Sequence, residues 1–140
     1  MTGNNTTSLH HPSFLPQYMF CLICTGFLLL MVPIDVVMTI STTTDLEREL
    51  NKSDKLIVLE FMAPWSEPCK VMKEPYRRIA RARKDRVNFY TLNVDKFKDL
   101  AEEAGVEALP MYVLLKNDDV IDMVVGVRRH ELENAIKNNI

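Results

Sequence analysis

The chain has 140 residues, 47% of them hydrophobic and 26% charged, enough for one domain that buries a core without disulfide staples. A formal net charge of −2 gives no electrostatic case for binding nucleic acid. Three cysteines make no disulfide framework, and nothing in that count indicates an oxidising compartment.

The charges are unevenly placed: every Asp, Glu, Lys and Arg lies at or after Asp35. Residues 1–34 therefore read as a polar, then apolar, leader, and residues 35–140 as a charged globular domain. Residues 1–13 carry Asn, Thr, Ser and His without apolar periodicity and read as disordered. Residues 14–34 are apolar, interrupted by Pro16, Gln17, Thr25, Gly26 and Pro33. Residues 18–32 fall short of the roughly 20 apolar residues that a bilayer core asks for. A signal peptide would want a basic start and a small-x-small cleavage site, and neither is present. A membrane-associated leader and a plain hydrophobic extension both stay open, so the domain is placed in the cytoplasm, with membrane association through 14–34 as the variant. Asn4 and Asn5 sit in N-x-Thr sequons, relevant only on a lumenal side. Cys21 and Cys24 have C-x-x-C spacing; apolar filler is the plain reading, a palmitoylation site or redox pair the sharper ones.

From Val36 the pattern turns regular. Val36–Ile40 predicts a strand, and Asp45–Lys52 a short helix capped by Thr43 or Thr44, the latter at capping-box spacing from Glu47. Leu56–Met62 is a nearly unbroken apolar run, as in a strand covered on both faces. After Ala63-Pro64, Ser66 can act as an N-cap, with Pro68 in the first turn where a missing N–H costs little. The helix runs from Glu67 to about Lys84, with Cys69, Met72, Tyr76 and Ile79 on one face and Pro75 expected to kink it. Cys69 then lies in the first turn, near the positive end of the helix dipole.

Val87–Val94 predicts a third strand, and Lys98–Ala104 a short helix closed by Gly105. Met111–Lys116 and Val120–Val125 read as a hairpin turning at Asn117-Asp118-Asp119. Arg129–Asn138 is a terminal amphipathic helix. The order β-α-β-α-β-α-β-β-α implies parallel right-handed crossovers followed by an antiparallel hairpin. That is an α/β fold, a mixed central sheet with helices on both faces.

Trp65-Ser66-Glu67-Pro68-Cys69-Lys70 resembles the active-site segment of the thioredoxin family, tryptophan-cysteine-glycine-proline-cysteine-lysine. The resemblance spans about the last three-quarters of the chain and is nearest to the h-type thioredoxins of plants. It implies the thioredoxin fold and a place in thiol–disulfide chemistry, with no cofactor. In the family the first cysteine attacks a client disulfide and the second resolves the mixed disulfide; here Ser66 stands at the first position. Exchange requires a thiolate, so a hydroxyl there leaves the two-thiol cycle without its opening step. Cys69 is then either a single exchanging thiol or a small buried apolar residue.

The resemblance also places Glu60 where the family has a buried proton-relaying aspartate. A carboxyl in an apolar strand is expected to have a raised pKa. Leu109-Pro110-Met111 resembles the family's cis-proline turn, with Met111 where threonine is usual. With Trp65, Pro68, Leu109 and Gly126, Pro110 would line a shallow groove for cysteine-containing or extended protein clients. A thioredoxin reductase or glutathione would be the remaining partners. Met62, Glu67 and the position of Pro75 are further departures; Glu67 puts a negative charge beside the site.

Three other patterns carry less. Arg77, Arg78, Arg81, Arg83, Lys84 and Arg86 suit a solvated helix end, and would meet anionic lipid only if the leader reached a membrane. His10, His11 and His130 form no metal-ligand spacing with Cys69. No His or Lys lies near enough in sequence to make Ser66 a hydrolase nucleophile.

Overall fold

In the computed structural model the described residues are 35–140. The expectations for the leader, its sequons and Cys21 and Cys24 lie outside them. Among the described residues no helix is long and apolar enough to cross a membrane.

Among the described residues five strands and four helices follow the predicted order: β1 (Val37–Thr39), α1 (Thr43–Lys52), β2 (Leu56–Met62), α2 (Glu67–Arg83), β3 (Val87–Asn93), α3 (Lys98–Glu103), β4 (Met111–Lys116), β5 (Asp119–Val125) and α4 (Arg129–Asn139). The sheet order is β1-β3-β2-β4-β5. β3 runs parallel to both β1 and β2, while β4 is antiparallel to β2 and β5 to β4. β2 is central, which is why its residues Leu56–Phe61 are all buried: both faces meet helices.

The alternation along each strand sorts the core into two layers. Val58, Phe89, Tyr112, Leu114 and Val124 pack against Met72, Tyr76 and Ile79 of α2 and Leu132, Ala135 and Ile136 of α4. Ile57, Leu59, Phe61, Tyr90, Leu92 and Val113 pack on the other face against Leu46 of α1 and Ala101 of α3. The mixed sheet covered on both faces is thus the predicted architecture.

Several boundaries move for local reasons. Thr42, not Thr43 or Thr44, caps α1: its Oγ1 accepts from the Asp45 N–H at 3.0 Å, so the Thr44–Glu47 box is not used. Threonine and acid three apart occur twice in this stretch, and the earlier pair starts the helix. β5 begins at Asp119, which pairs with Lys116, so the hairpin turn is Asn117-Asp118 alone. Both residues have positive φ, 51° and 67°, as a two-residue turn matching the strand twist requires. α3 ends at Glu103, with Ala104 as its C-cap and Gly105 at φ +72°. The Gly105 N–H donates to Glu102 O and the Val106 N–H to Ala101 O, satisfying the last carbonyls of the helix. α2 runs through Pro75 as one helix, although Pro75 has no N–H to donate to Val71.

Candidate functional site

The end of β2 delivers the chain to α2 through a tight turn, in which the Ser66 N–H donates to Ala63 O at 3.2 Å. Ser66 is the N-cap of α2, as expected, and its Oγ accepts from the Cys69 N–H at 3.4 Å. Glu67 and Pro68 fill the first helical positions, both exposed. Ser66 and Cys69 are themselves buried, 5% and 4% exposed.

They open onto different spaces. Ser66 lines an outer cavity of about 310 Å³ with Trp65, Val94, Ala101, Val106, Glu107, Ala108 and Leu109. Cys69 lines an inner cavity of about 600 Å³ that also contains Glu60, Tyr76, Thr91 and the cationic Lys70, Lys73, Arg77 and Lys96. Ser66 and Cys69 thus lie three residues apart in the first turn of α2 and line different cavities.

Trp65 is 66% exposed, held by its Nε1–H, which donates to Asp95 Oδ2 at 2.9 Å. An exposed indole pinned at one edge is a flat apolar platform with little rotamer freedom left to lose on binding. The Asp95 backbone N–H in turn donates to Asn93 Oδ1, fixing the loop after β3. The Leu109–Pro110 peptide bond is cis, as the resemblance implied. Pro110 is fully buried, and its carbonyl accepts from the Gly126 N–H at 2.8 Å. Gly126 has φ +88°, a conformation side-chain-bearing residues rarely adopt. The structure thus joins Trp65 and Ser66 to Leu109, and Pro110 to Gly126, with the Leu109–Pro110 peptide linking the two pairs.

Glu60 is 6% exposed on the central strand, so strand twist does not carry it to a wet edge. Its register neighbours are Thr91 on β3 and Tyr112 on β4. Those two hydroxyls donate to its two oxygens, Thr91 Oγ1 to Oε1 and Tyr112 OH to Oε2, each at 2.9 Å. Burial raises the Glu60 carboxyl above its ordinary value of 4.5, opposed by the Tyr112 and Thr91 hydrogen bonds and the Arg77 charge. Tyr112 is pushed upward by burial and by the Glu60 charge. Glu60 and Cys69 share a cavity, but the bonds of Glu60 run to its strand neighbours.

A raised carboxyl fixes the sign of a pH effect. The stability it contributes is fully present below about 4.5 and is lost as pH climbs through the folded-state value. Glu60→Gln keeps an acceptor for one hydroxyl and removes the titration. The stability of the natural protein minus that of the variant should fall from pH 4 to pH 8 (values on the order of the ordinary carboxyl pKa and above). Urea midpoints at the two pH values measure it; a difference that stays flat would contradict the raised pKa.

Thr91, Tyr112 and Asp95 escaped the sequence reading. The first two face Glu60 only through strand register, which local pattern does not encode. Asp95 had a signal, since Asn93-x-Asp95 just past a strand is turn chemistry. Among the described residues, no group of three or more His, Cys, Asp or Glu side chains could hold a metal.

The family model described as Thioredoxin matches residues 37–138. A thioredoxin of Malassezia sympodialis is 36% identical over 90 residues, 64% of this chain and 86% of that protein. An h-type thioredoxin of Fagopyrum esculentum is 42% identical over 84 residues, 60% of this chain and 72% of that protein. The crystal structure of the thioredoxin NaTrxh from Nicotiana alata superposes with a TM-score of 0.69 at 33% identity, covering 77% of this chain and 96% of that one.

Proposed function

Because this chain belongs to the thioredoxin family of redox proteins, with plant h-type thioredoxins among its relatives, we propose that it binds protein clients with little or no disulfide-reductase turnover. The clients are cysteine-containing or extended segments laid across Trp65, Pro68, Leu109, Pro110 and Gly126. The observation that carries this reading is the position of Ser66. Ser66 lines the outer cavity beside the exposed Trp65, where a client would lie, while the thiol of the site, Cys69, is buried and lines a different cavity.

A serine oxygen at neutral pH neither ionises appreciably nor forms a stable bond to sulfur, so a client disulfide in the groove meets no nucleophile. The groove itself does not depend on that atom. Trp65 supplies an exposed apolar face, and Leu109 lines the same cavity. The test is binding and turnover in parallel: anisotropy titration of a dye-labelled extended cysteine-bearing peptide, and reduction of a disulfide substrate. Saturable binding with no turnover is expected. Trp65→Ala should weaken that binding about tenfold, the loss of one aromatic anchor. Turnover abolished by Cys69→Ala would overturn the binding reading.

That last outcome is the prediction of a second reading, favoured by the inner cavity. Cys69 lines about 600 Å³ of space with Lys70, Lys73 and Lys96, room and charge for an anionic thiol such as glutathione. Under this reading Cys69 alone performs thiol–disulfide exchange or deglutathionylation, with Glu60 as the nearby proton acceptor and glutathione or a reductase resolving the mixed disulfide. The reactivity of Cys69 toward a small thiol reagent across pH separates the two: a slow, access-limited sulfur fits the binder. A cytoplasmic domain tethered by residues 14–34 is compatible with either. Carbonate extraction of the full chain from membranes tests that tether.

A further inference from the structure

The two cavities at the start of α2 differ in charge. The inner one, which Cys69 lines, gathers Lys70, Lys73, Arg77 and Lys96. Among the described residues that line the outer one with Ser66, the charged residue is Glu107. It is exposed and stands two positions before Leu109. The Trp65 end adds two more carboxylates. Asp95 accepts the indole N–H at 2.9 Å, and Glu67 stands 79% exposed at the start of α2. The stretch that brings Ala101 and Val106 to the same cavity is acidic as well, with Asp99, Glu102 and Glu103 against Lys98.

Little of this charge is neutralised within the chain. Glu67 pairs with Lys70 at 2.8 Å, but the pair is exposed and worth little in water. Among the described residues no ion pair engages Asp95, Asp99, Glu102, Glu103 or Glu107. Residues 1–34 hold no Lys or Arg that could do so. Toward the Gly126 end of the groove, Arg128 is already engaged by Glu131 at 3.1 Å. The groove is thus apolar along Trp65 and Leu109 and negative around them. Charges of one sign beside apolar walls focus the field on whatever enters.

We propose that the groove selects cysteine-bearing segments with Lys or Arg within about three residues of the cysteine, a reach set by the advance of about 3.3 Å per residue in an extended chain. A basic side chain there meets Glu107 beside Leu109, or Glu67 and Asp95 beside Trp65. An acidic one meets the same carboxylates and is repelled. Contacts with Trp65 and Leu109 are common to both kinds of client, so the flanking charge decides between them. Charge at the rim of an apolar contact sets partner choice more than raw affinity. The inference rests on the client-binding reading and adds to it the class of client.

Three dye-labelled extended peptides test it, alike except that the residues flanking the cysteine are Lys, Gln or Glu. Anisotropy titration with the full chain, under reducing conditions at about 20 mM salt, should rank them in that order, with about tenfold in affinity between first and last. At about 500 mM salt the spread should shrink to about twofold. Glu67→Lys combined with Glu107→Lys should reverse the order; both sites are exposed, so circular dichroism should be unchanged. Glu47→Lys, a charge reversal at an exposed position of α1, should leave the order standing. Equal affinities, a preference for the Glu peptide, or an order that the double substitution does not disturb each overturns the inference while client binding stands. Saturable binding of none of the three would remove the client-binding reading, and this inference with it.

Discussion

Ser66→Cys should raise the turnover of a disulfide substrate at least about 100-fold above that of the natural chain. The argument is chemical before it is structural. A cysteine is a few per cent thiolate even at an unshifted pKa and is intrinsically very nucleophilic, whereas the serine hydroxyl contributes nothing to exchange. The new thiol would sit at position 66, which lines the outer cavity with Trp65 and Leu109. Cys69 lies three residues on, within the same helical turn, to resolve the mixed disulfide. The substitution weakens the cap that Ser66 provides to the Cys69 N–H, at a cost of about 1 kcal/mol. Ser66→Ala, which loses the same cap without gaining a thiol, is the matched control and should stay inactive. The measurement is the rate of reduction of a disulfide substrate under a fixed thiol or reductase supply. A natural chain already as fast as its Ser66→Cys variant would mean that Cys69 is the working nucleophile.

The largest effect on stability should come from Tyr76, the residue that fastens α2 to the sheet. It is fully buried, and its hydroxyl lies 3.2 Å from Val58 O on β2 and 3.0 Å from Tyr90 O on β3. Its ring meets Phe89 edge-on at 5.7 Å and Tyr112 at 5.0 Å. Tyr76→Phe removes only the hydroxyl, and with it the single proton shared between those two carbonyls, and should cost about 1–2 kcal/mol. Tyr76→Ala also removes a ring that the neighbouring aromatics cannot fill, and should cost about 3–5 kcal/mol. Denaturant titration monitored by Trp65 fluorescence measures both. Because Tyr76 lies two turns beyond Cys69 on the same helix, the alanine variant should also speed modification of the Cys69 thiol. Equal stabilities for the phenylalanine variant and the natural protein would assign the hydroxyl no net role.

The two predictions draw on different sources of information. That Ser66 occupies the N-cap and Cys69 the first turn followed from local rules alone: a turn, a cap-forming hydroxyl, a proline early in the helix, then 3-4-3 apolar spacing. The same rules recovered the unbroken apolar β2, the glycine closing α3 and the element order, because each depends on residues within a few positions of one another. Boundaries slipped where two local solutions compete. Thr42 and Thr44 both offer a cap, and Asn117-Asp118 turns tightly enough to return Asp119 to the strand.

The linear pattern thus determined the α/β architecture, the oxygen at position 66 and the place of Cys69 in the first turn of α2; that the thiol is buried came only with the tertiary structure. It could not determine what faces what across the sheet. Glu60 is held by Thr91 and Tyr112, residues 31 and 52 positions away, only because β3 and β4 flank β2 in a particular register. Trp65 finds Asp95 because β2 and β3 end side by side. Pairing of distant strands is settled by burying both faces of β2 together, a condition on the whole domain, and no window of consecutive residues contains it.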